Sequence, residues 1–406
     1  MTICKSVSLA ACALASVAAV PAMAQDRATA AQDENPFTLS FELQGLADDN
    51  VYAADSAARS DVGVVLRPAV AADLRSGSYR LEARGELAVR RFAKETGENT
   101  NDTRLSANLQ VEPFNGTVVT VGGRYDILHE DRGDPDNIAL AVAPLKYSSK
   151  GMDLRVAREL SRLRLSGGLR YLALDYTSGV TAAGTTIVND QRDRNTLAGA
   201  FQASFAISGA LRVYSQADIS RVNYVLAPVG TAYNRDSSEW HGVAGFEIAP
   251  QGPFSGKAYF GYMRRSFTDA RFVSVGAPEF GANVTYRPAT STRFDFDLTR
   301  SYQETTFRQS QAVLSTSYRI KLTHQLLDSL TANVGGTYAV NGYVPSADAT
   351  RPPRRDTSQE YQLGVDYRMF RGITLKSEMR HSSRNSTEAA SGFARNRVFV
   401  TLAAEM

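Results

Sequence analysis

Residues 373–380 read Ile-Thr-Leu-Lys-Ser-Glu-Met-Arg, and residues 397–406 read Arg-Val-Phe-Val-Thr-Leu-Ala-Ala-Glu-Met. In an extended chain, successive side chains point to opposite faces. Ile373, Leu375 and Met379 then share one face, opposed by Thr374, Lys376, Glu378 and Arg380. Val398, Val400, Leu402, Ala404 and Met406 share another, opposed by Arg397, Phe399, Thr401, Ala403 and Glu405. Each segment has a greasy face and a polar one, as a strand with lipid on one side and water on the other requires. A soluble β-sandwich also alternates, so the rest of the chain has to decide.

The same dyad pattern recurs back to Phe37, and turn signals divide the chain into about eighteen candidate strands, within a range of roughly 16–20. One of the clearest runs from Ser78 to Phe92, with Tyr79, Leu81, Ala83, Leu87 and Val89 on one face and Arg80, Glu82, Arg84, Glu86 and Arg90 on the other. Connections mostly alternate in length, although two on the longer side, near Asp269 and Thr305, are short. Tight turns such as Asn115-Gly116, Ser208-Gly209 and Arg371-Gly372 alternate with longer polar segments such as Leu46 to Ser60, His129 to Ser148, Tyr176 to Arg192, Val225 to Ser238 and Gly342 to Asp356. A sandwich has no reason to keep this parity, whereas a membrane barrel has short periplasmic turns and longer extracellular loops. The expected fold is all-β, a single transmembrane antiparallel β-barrel over residues 37–406.

The start of the chain sets the compartment. Residues 1–24 read as a signal peptide, with Lys5 as the positive end, an apolar run from Ala10 to Val20 and Ala22-Met23-Ala24 as the cleavage site. Residues 25–36 are then a short periplasmic tail, too short for the plug domain of a large receptor. Both cysteines, Cys4 and Cys12, lie in the leader, so disulfides and thiolate chemistry are excluded from the mature chain. A mean hydropathy of −0.26 is too polar for a helical membrane protein but suits a barrel with a watery lumen. The net charge of +3 gives no support to nucleic-acid binding.

Alternation assigns the faces. Leu105, Leu109, Val121, Ile127, Leu169, Phe201, Ile219, Phe246, Phe294, Leu298, Val334 and Leu363 are expected to meet lipid, with Tyr and Phe near strand ends as interfacial girdles. The predicted pore lining comprises Arg80, Glu82, Arg84, Glu86, Arg124, Asp126, Arg170, Arg212, Tyr214, Asp218, Tyr262, Arg293, Asp295, Asp297, Arg368, Lys376, Glu378 and Arg380. For any one of these charges the plain alternative is an ion pair that stiffens the wall. Because the signs are mixed, ion selectivity should be modest.

Residues 129–148 form the best candidate for a loop folded into the pore. His129, Glu130, Asp131, Arg132, Asp134 and Asp136 precede an apolar stretch from Ile138 to Pro144. The acidic half could offer oxygen ligands to a divalent cation, but a solvated external loop is the plainer expectation. His129, His241, His324 and His381 sit in no metal or hydrolase motif, so no enzyme activity, no catalytic residue, no metal and no cofactor is expected.

The chain resembles the type 2 family of outer-membrane β-barrel porins of Gram-negative bacteria. The resemblance rests on Ser40 to Tyr52, which ends in Asp48-Asp49-Asn50-Val51-Tyr52, on Ser60-Asp61 leading into a strand with Pro68, and on about eighteen strands without a plug. The final Met406 departs from the Phe or Trp usual in such barrels, which bears on the assembly signal. Members resembling this family are linked to exopolysaccharide systems. The resemblance therefore implies passive passage for a secreted exopolysaccharide or capsular polysaccharide; the alternative is a diffusion porin for small solutes, which predicts an inserted constriction loop. Expected partners are outer-membrane lipid and lipopolysaccharide, the barrel assembly machinery and, for a polymer conduit, a periplasmic polysaccharide export protein.

Overall fold

The computed structural model describes residues 35–137, 141–226, 233–307 and 309–406. The signal peptide and nearly all of the 25–36 tail lie outside the described residues. Alternating, Gly- and Ala-rich segments of 12 to 18 residues pair into one 18-stranded sheet that closes on itself. In chain order the elements are β1 (Phe37–Asp48), β2 (Asp61–Ser76), β3 (Tyr79–Phe92), β4 (Thr100–Phe114), β5 (Thr117–His129), β6 (Lys146–Leu160), β7 (Leu163–Tyr176), β8 (Gly179–Val180), β9 (Thr186–Ile187), β10 (Arg194–Ala206), β11 (Leu211–Tyr224), β12 (Ser237–Ile248), β13 (Phe254–Phe267), β14 (Val275–Ala289), β15 (Thr292–Gln303), β16 (Ser310–Leu327), β17 (Leu330–Pro345), β18 (Arg355–Phe370), β19 (Ile373–Ser386) and β20 (Phe393–Glu405). The pair β8–β9 is a small separate hairpin inside one loop. Every other strand pairs antiparallel with its neighbours in sequence, and β1 meets β20 to complete the ring.

Closure joins the first strand to the last, removing the two outer edges that a bilayer would not tolerate. It is stitched at both ends. Leu39 and Met406 exchange backbone hydrogen bonds of 2.9 Å. At the other end, Arg395 on β20 clasps Asp48 on β1 at 2.5 Å, both buried.

Some strands run further than turn chemistry predicts. β2 continues to Ser76 and β16 to Leu327, because cross-strand partners carry the ladder past polar residues. Gly116 adopts φ +74 and Gly372 φ +78 in their turns, each beside a register shift in the adjoining ladder. A positive φ next to a bulge is a hairpin form that favours glycine.

The outward face is apolar. Leu105, Val121, Leu169, Phe201, Ile219, Phe246, Val334 and Leu363 are all well exposed there, as lipid contact requires. Tyr125, Tyr171, Trp240, Tyr262, Tyr318, Tyr338 and Tyr361 stand exposed toward the long-loop end, and Tyr79, Phe114, Phe254, Tyr367 and Phe370 toward the tight-turn end. Two aromatic girdles thus bracket the apolar band. What core exists is inside the long-loop end, where Leu46, Val51 and Phe92 form one buried cluster and Leu128, Tyr147 and Tyr176 another. On β6 the inward Tyr147, Ser149 and Gly151 are buried, whereas the inward Arg155, Ala157 and Glu159 below them are not. The lumen is filled above and open below.

Candidate functional site: a loop across the lumen

The site begins with the segment between β5 and β6. It leaves the wall at His129, whose Nδ1 lies 2.7 Å from Asp102 on β4. It then reaches halfway around the ring. Thr305 Oγ1 and the Thr306 backbone N–H donate to the Asp136 carboxylate at 2.9 and 3.1 Å, from the connection between β15 and β16. Arg384 of β19 donates to the Gly133 carbonyl at 3.0 Å, and Arg395 of β20 to Asp131 at 3.1 Å. Two further pairs tie it to neighbouring external loops. Arg132 grips Glu98 in a two-pronged pair at 3.0 and 2.5 Å, and Glu130 pairs with Arg192; all four side chains are almost fully buried. Residues 130–137 therefore cross the barrel as an inner strap, not as a solvated external loop. The earlier-noted apolar stretch falls partly on residues 138–140, outside the described residues; Ala141 is bridged to Thr181.

The acids of this strap have partners that compete with a metal. Glu130 faces Arg192, Asp131 faces Arg395 and Arg397, and Asp136 faces hydroxyl and amide donors. Among the described residues no three His, Cys, Asp or Glu side chains converge as a metal set. Burial works against charge on Asp131, but Arg395 and Arg397 outweigh it and hold its carboxyl well below the usual range. Asp134 goes the other way. Burial, with Asp131 and Glu130 alongside, pushes its carboxyl up to about 8.

Beside the strap the lumen holds a pocket of about 150 Å³. Arg124, Arg170 and Arg194 line one side, Asp134, Asp136 and Glu304 contribute carboxylates, and Tyr147, Tyr176, Tyr224 and Tyr343 supply aromatic surface. Tyr147 and Tyr176 stack at 5.2 Å between ring centres, and Arg192 lies over Tyr176 at 4.1 Å. The wall itself bends in opposite the strap. Pairing between β14 and β15 ends at Gly281 and Thr299, so the top of β15 leaves the ring. Tyr302 there packs on Met263 and Ala277, which stand on the inward faces of β13 and β14.

The predicted lining residues fall as follows. Arg124 and Arg170 line the constriction. Below it, Arg80 pairs with Asp73 and Glu82, Arg84 and Arg104 with Glu86, Arg212 with Glu159, Arg293 with Asp295 and Arg380 with Glu378. Lys376 reaches Glu42 at 3.3 Å, Asn283 bonds Asp297, and Gln216 bonds Asp218. Asp126, Tyr214 and Arg368 share the inward parity of their strands. Tyr262 does not. It pairs with Gly242, is tilted against Trp240 at 5.9 Å and is exposed on the outward face, whereas its neighbours Met263 and Arg265 turn inward. An aromatic hydroxyl suits the membrane interface as well as a lumen, so residue type alone misled; the parity of Lys257, Tyr259 and Arg265 carried the correct signal.

Alternation could also have found Arg194, Tyr224 and Arg265. It could not have found the inward turn of the strap. His241 lies between Glu239 and Glu279, the latter at 2.7 Å, and Arg265 bridges Glu239 to Glu304. His381 stacks on Tyr361 and contacts Asn396.

The family model described as “Putative beta-barrel porin 2” matches residues 37–406, and the chain belongs to that family. Solved structures similar to it include Pseudomonas aeruginosa OccK3 (OpdO), 14% identical, with a TM-score of 0.47 over 91% of this chain and 95% of that one. Acinetobacter baumannii OccAB4 is 14% identical, with a TM-score of 0.48 over 92% of this chain and 99% of that one. No curated protein matches the chain.

Proposed function

We propose that this outer-membrane porin is a diffusion channel for small polar solutes, with the strap of residues 130–137 as its size-setting constriction. The observation that carries the reading is that the strap crosses the lumen and is fastened on its far side through Asp136, Gly133 and Asp131. The pocket beside the strap, lined by arginines, carboxylates and tyrosines, offers a small polar solute both charge and aromatic surface. Release of a fastened strap would have to precede passage of a polysaccharide, which makes the export reading, and a periplasmic export partner with it, the weaker one. Cleavage after Ala24, insertion by the assembly machinery and residence among outer-leaflet lipids belong to the same proposal.

The test is liposome swelling with sugars of increasing size, alongside planar-bilayer conductance. The wild-type channel should admit mono- and disaccharides and exclude long dextrans. Replacement of residues 131–136 by a short Gly-Ser linker should raise both conductance and the size limit. Passage of long dextrans through the wild-type channel, with no effect of the replacement, would mean a polymer conduit instead.

A further inference from the structure

The outward face carries few charges, and two of them stand together. Arg221 on β11 and Arg264 on β13 are exposed on the lipid side, separated by β12, where Ser238 pairs with Arg221 and Trp240 pairs with Arg264. Two inter-strand spacings across and a two-residue offset along the strands put their backbones about 12 Å apart. Asn223, Ser238 and Ser266 complete a polar patch on the same outward parity. Arg221 Nε donates to Asn223 at 3.0 Å, and among the described residues no carboxylate pairs with either guanidinium. The acids of these strands, Asp218, Glu239, Glu247 and Glu279, all turn inward.

Height matters as much as charge. A tilted strand climbs about 2.5 Å per residue along the membrane normal. The step from Phe254 in the lower girdle to Arg264 therefore covers about 25 Å, the height of the apolar band. Both arginines sit at the external boundary, level with Trp240 and Tyr262. Directly below them Ile219 and Phe260 are 68% and 65% exposed, a surface for acyl chains. A cation pair with hydroxyl and amide donors, placed over apolar surface at the outer-leaflet boundary, matches a phosphorylated glycolipid headgroup. Guanidinium forks bind phosphate in two-pronged fashion, and a low-dielectric surrounding strengthens the contact.

We propose that Arg221, Trp240 and Arg264 form a binding site on the barrel exterior for a phosphate-bearing glycolipid of the outer leaflet. Trp240 is the sole tryptophan of the chain, so its emission reports on this site alone. The experiment titrates bis-phosphorylated lipid A into the full-length folded barrel in a neutral detergent. A saturable change in Trp240 emission is expected. In R221Q/R264Q the half-saturation point should rise at least tenfold, while R221K/R264K stays within a few-fold of wild type. Unchanged single-channel conductance in both variants verifies folding. Equal response to fully dephosphorylated lipid A would overturn the proposal, because contact would then rest on acyl chains. Saturation by inorganic phosphate alone at comparable concentration would overturn the lipid as source. Equal affinity in R221Q/R264Q would overturn the site.

Discussion

At the residue scale, the sign of a substitution depends on which way its side chain faces. Leu298 looks outward from β15, paired with Ala282 and Tyr318. Leu298→Arg would put a cation into the apolar band, at a cost of about 2–4 kcal/mol near the bilayer midplane. The expected outcome is a marked fall in folded barrel, read as loss of the compact heat-modifiable band on a gel. Arg380, by contrast, is inward and already paired with Glu378 and packed over Phe399. Its loss is felt by water and counter-charges, and Arg380→Gln should leave that band intact.

Asp134 gives a second prediction at this scale. Its carboxyl is raised to about 8, and the charged groups bearing on it are Asp131, Glu130 and Arg384. The fastened strap then holds a proton that a released strap gives up above the ordinary carboxyl range. A raised carboxyl favours the fastened state at low pH, and that advantage is lost as pH climbs from about 4 to about 8. Asp131 acts oppositely, but only at acid pH, because its carboxyl is held low by Arg395 and Arg397. Open-channel noise should therefore grow between pH 5 and 8 in the wild type. In Asp134→Asn it should be nearly flat over that window; equal slopes would remove Asp134 from the account.

At the element scale, the strap is held by buried pairs with neighbouring loops rather than by packing of its own. Arg132 and Glu98 are both nearly inaccessible. Deleting one partner strands a buried charge, which costs roughly 3–5 kcal/mol in comparable cases. Arg132→Ala should free the strap without unfolding the wall, since strand ladders carry the barrel. Hydrogen exchange would show it: protection lost over residues 130–137 and kept in β5 and β6. Loss throughout β5 would mean that strap and wall are one cooperative unit.

The whole molecule is a ring whose charges largely cancel within its own lining. Arg80, Arg84, Arg212, Arg293 and Arg380 each have an acid within ion-pair distance. A potassium chloride gradient across the channel should produce only a small zero-current potential. Arg124 is exposed at the constriction, where a single charge weighs most. Arg124→Glu should move that potential clearly toward cation selectivity. A strongly selective wild type would contradict the mixed lining.

Sequence alone determined the wall. Period-two alternation has only two answers per residue, so Leu375 against Lys376, or Leu81 against Glu82, could be assigned without coordinates, and turn signals put the strand count near the eighteen observed. The family resemblance agreed with this but pointed to a polymer. Where alternation was set aside for residue type, as at Tyr262, the assignment failed. What only the tertiary structure decided is the inside of the ring. Asp136 meets Thr305 across 169 residues of sequence, and Arg395 joins Asp48 to Asp131. The sequence of the strap, acidic and polar, is equally compatible with water outside the cell. It folds inward because Arg384 on β19, Arg395 on β20, and Arg192 and Glu98 of two loops converge there once the barrel closes, and such long-range convergence leaves no periodic trace in the chain.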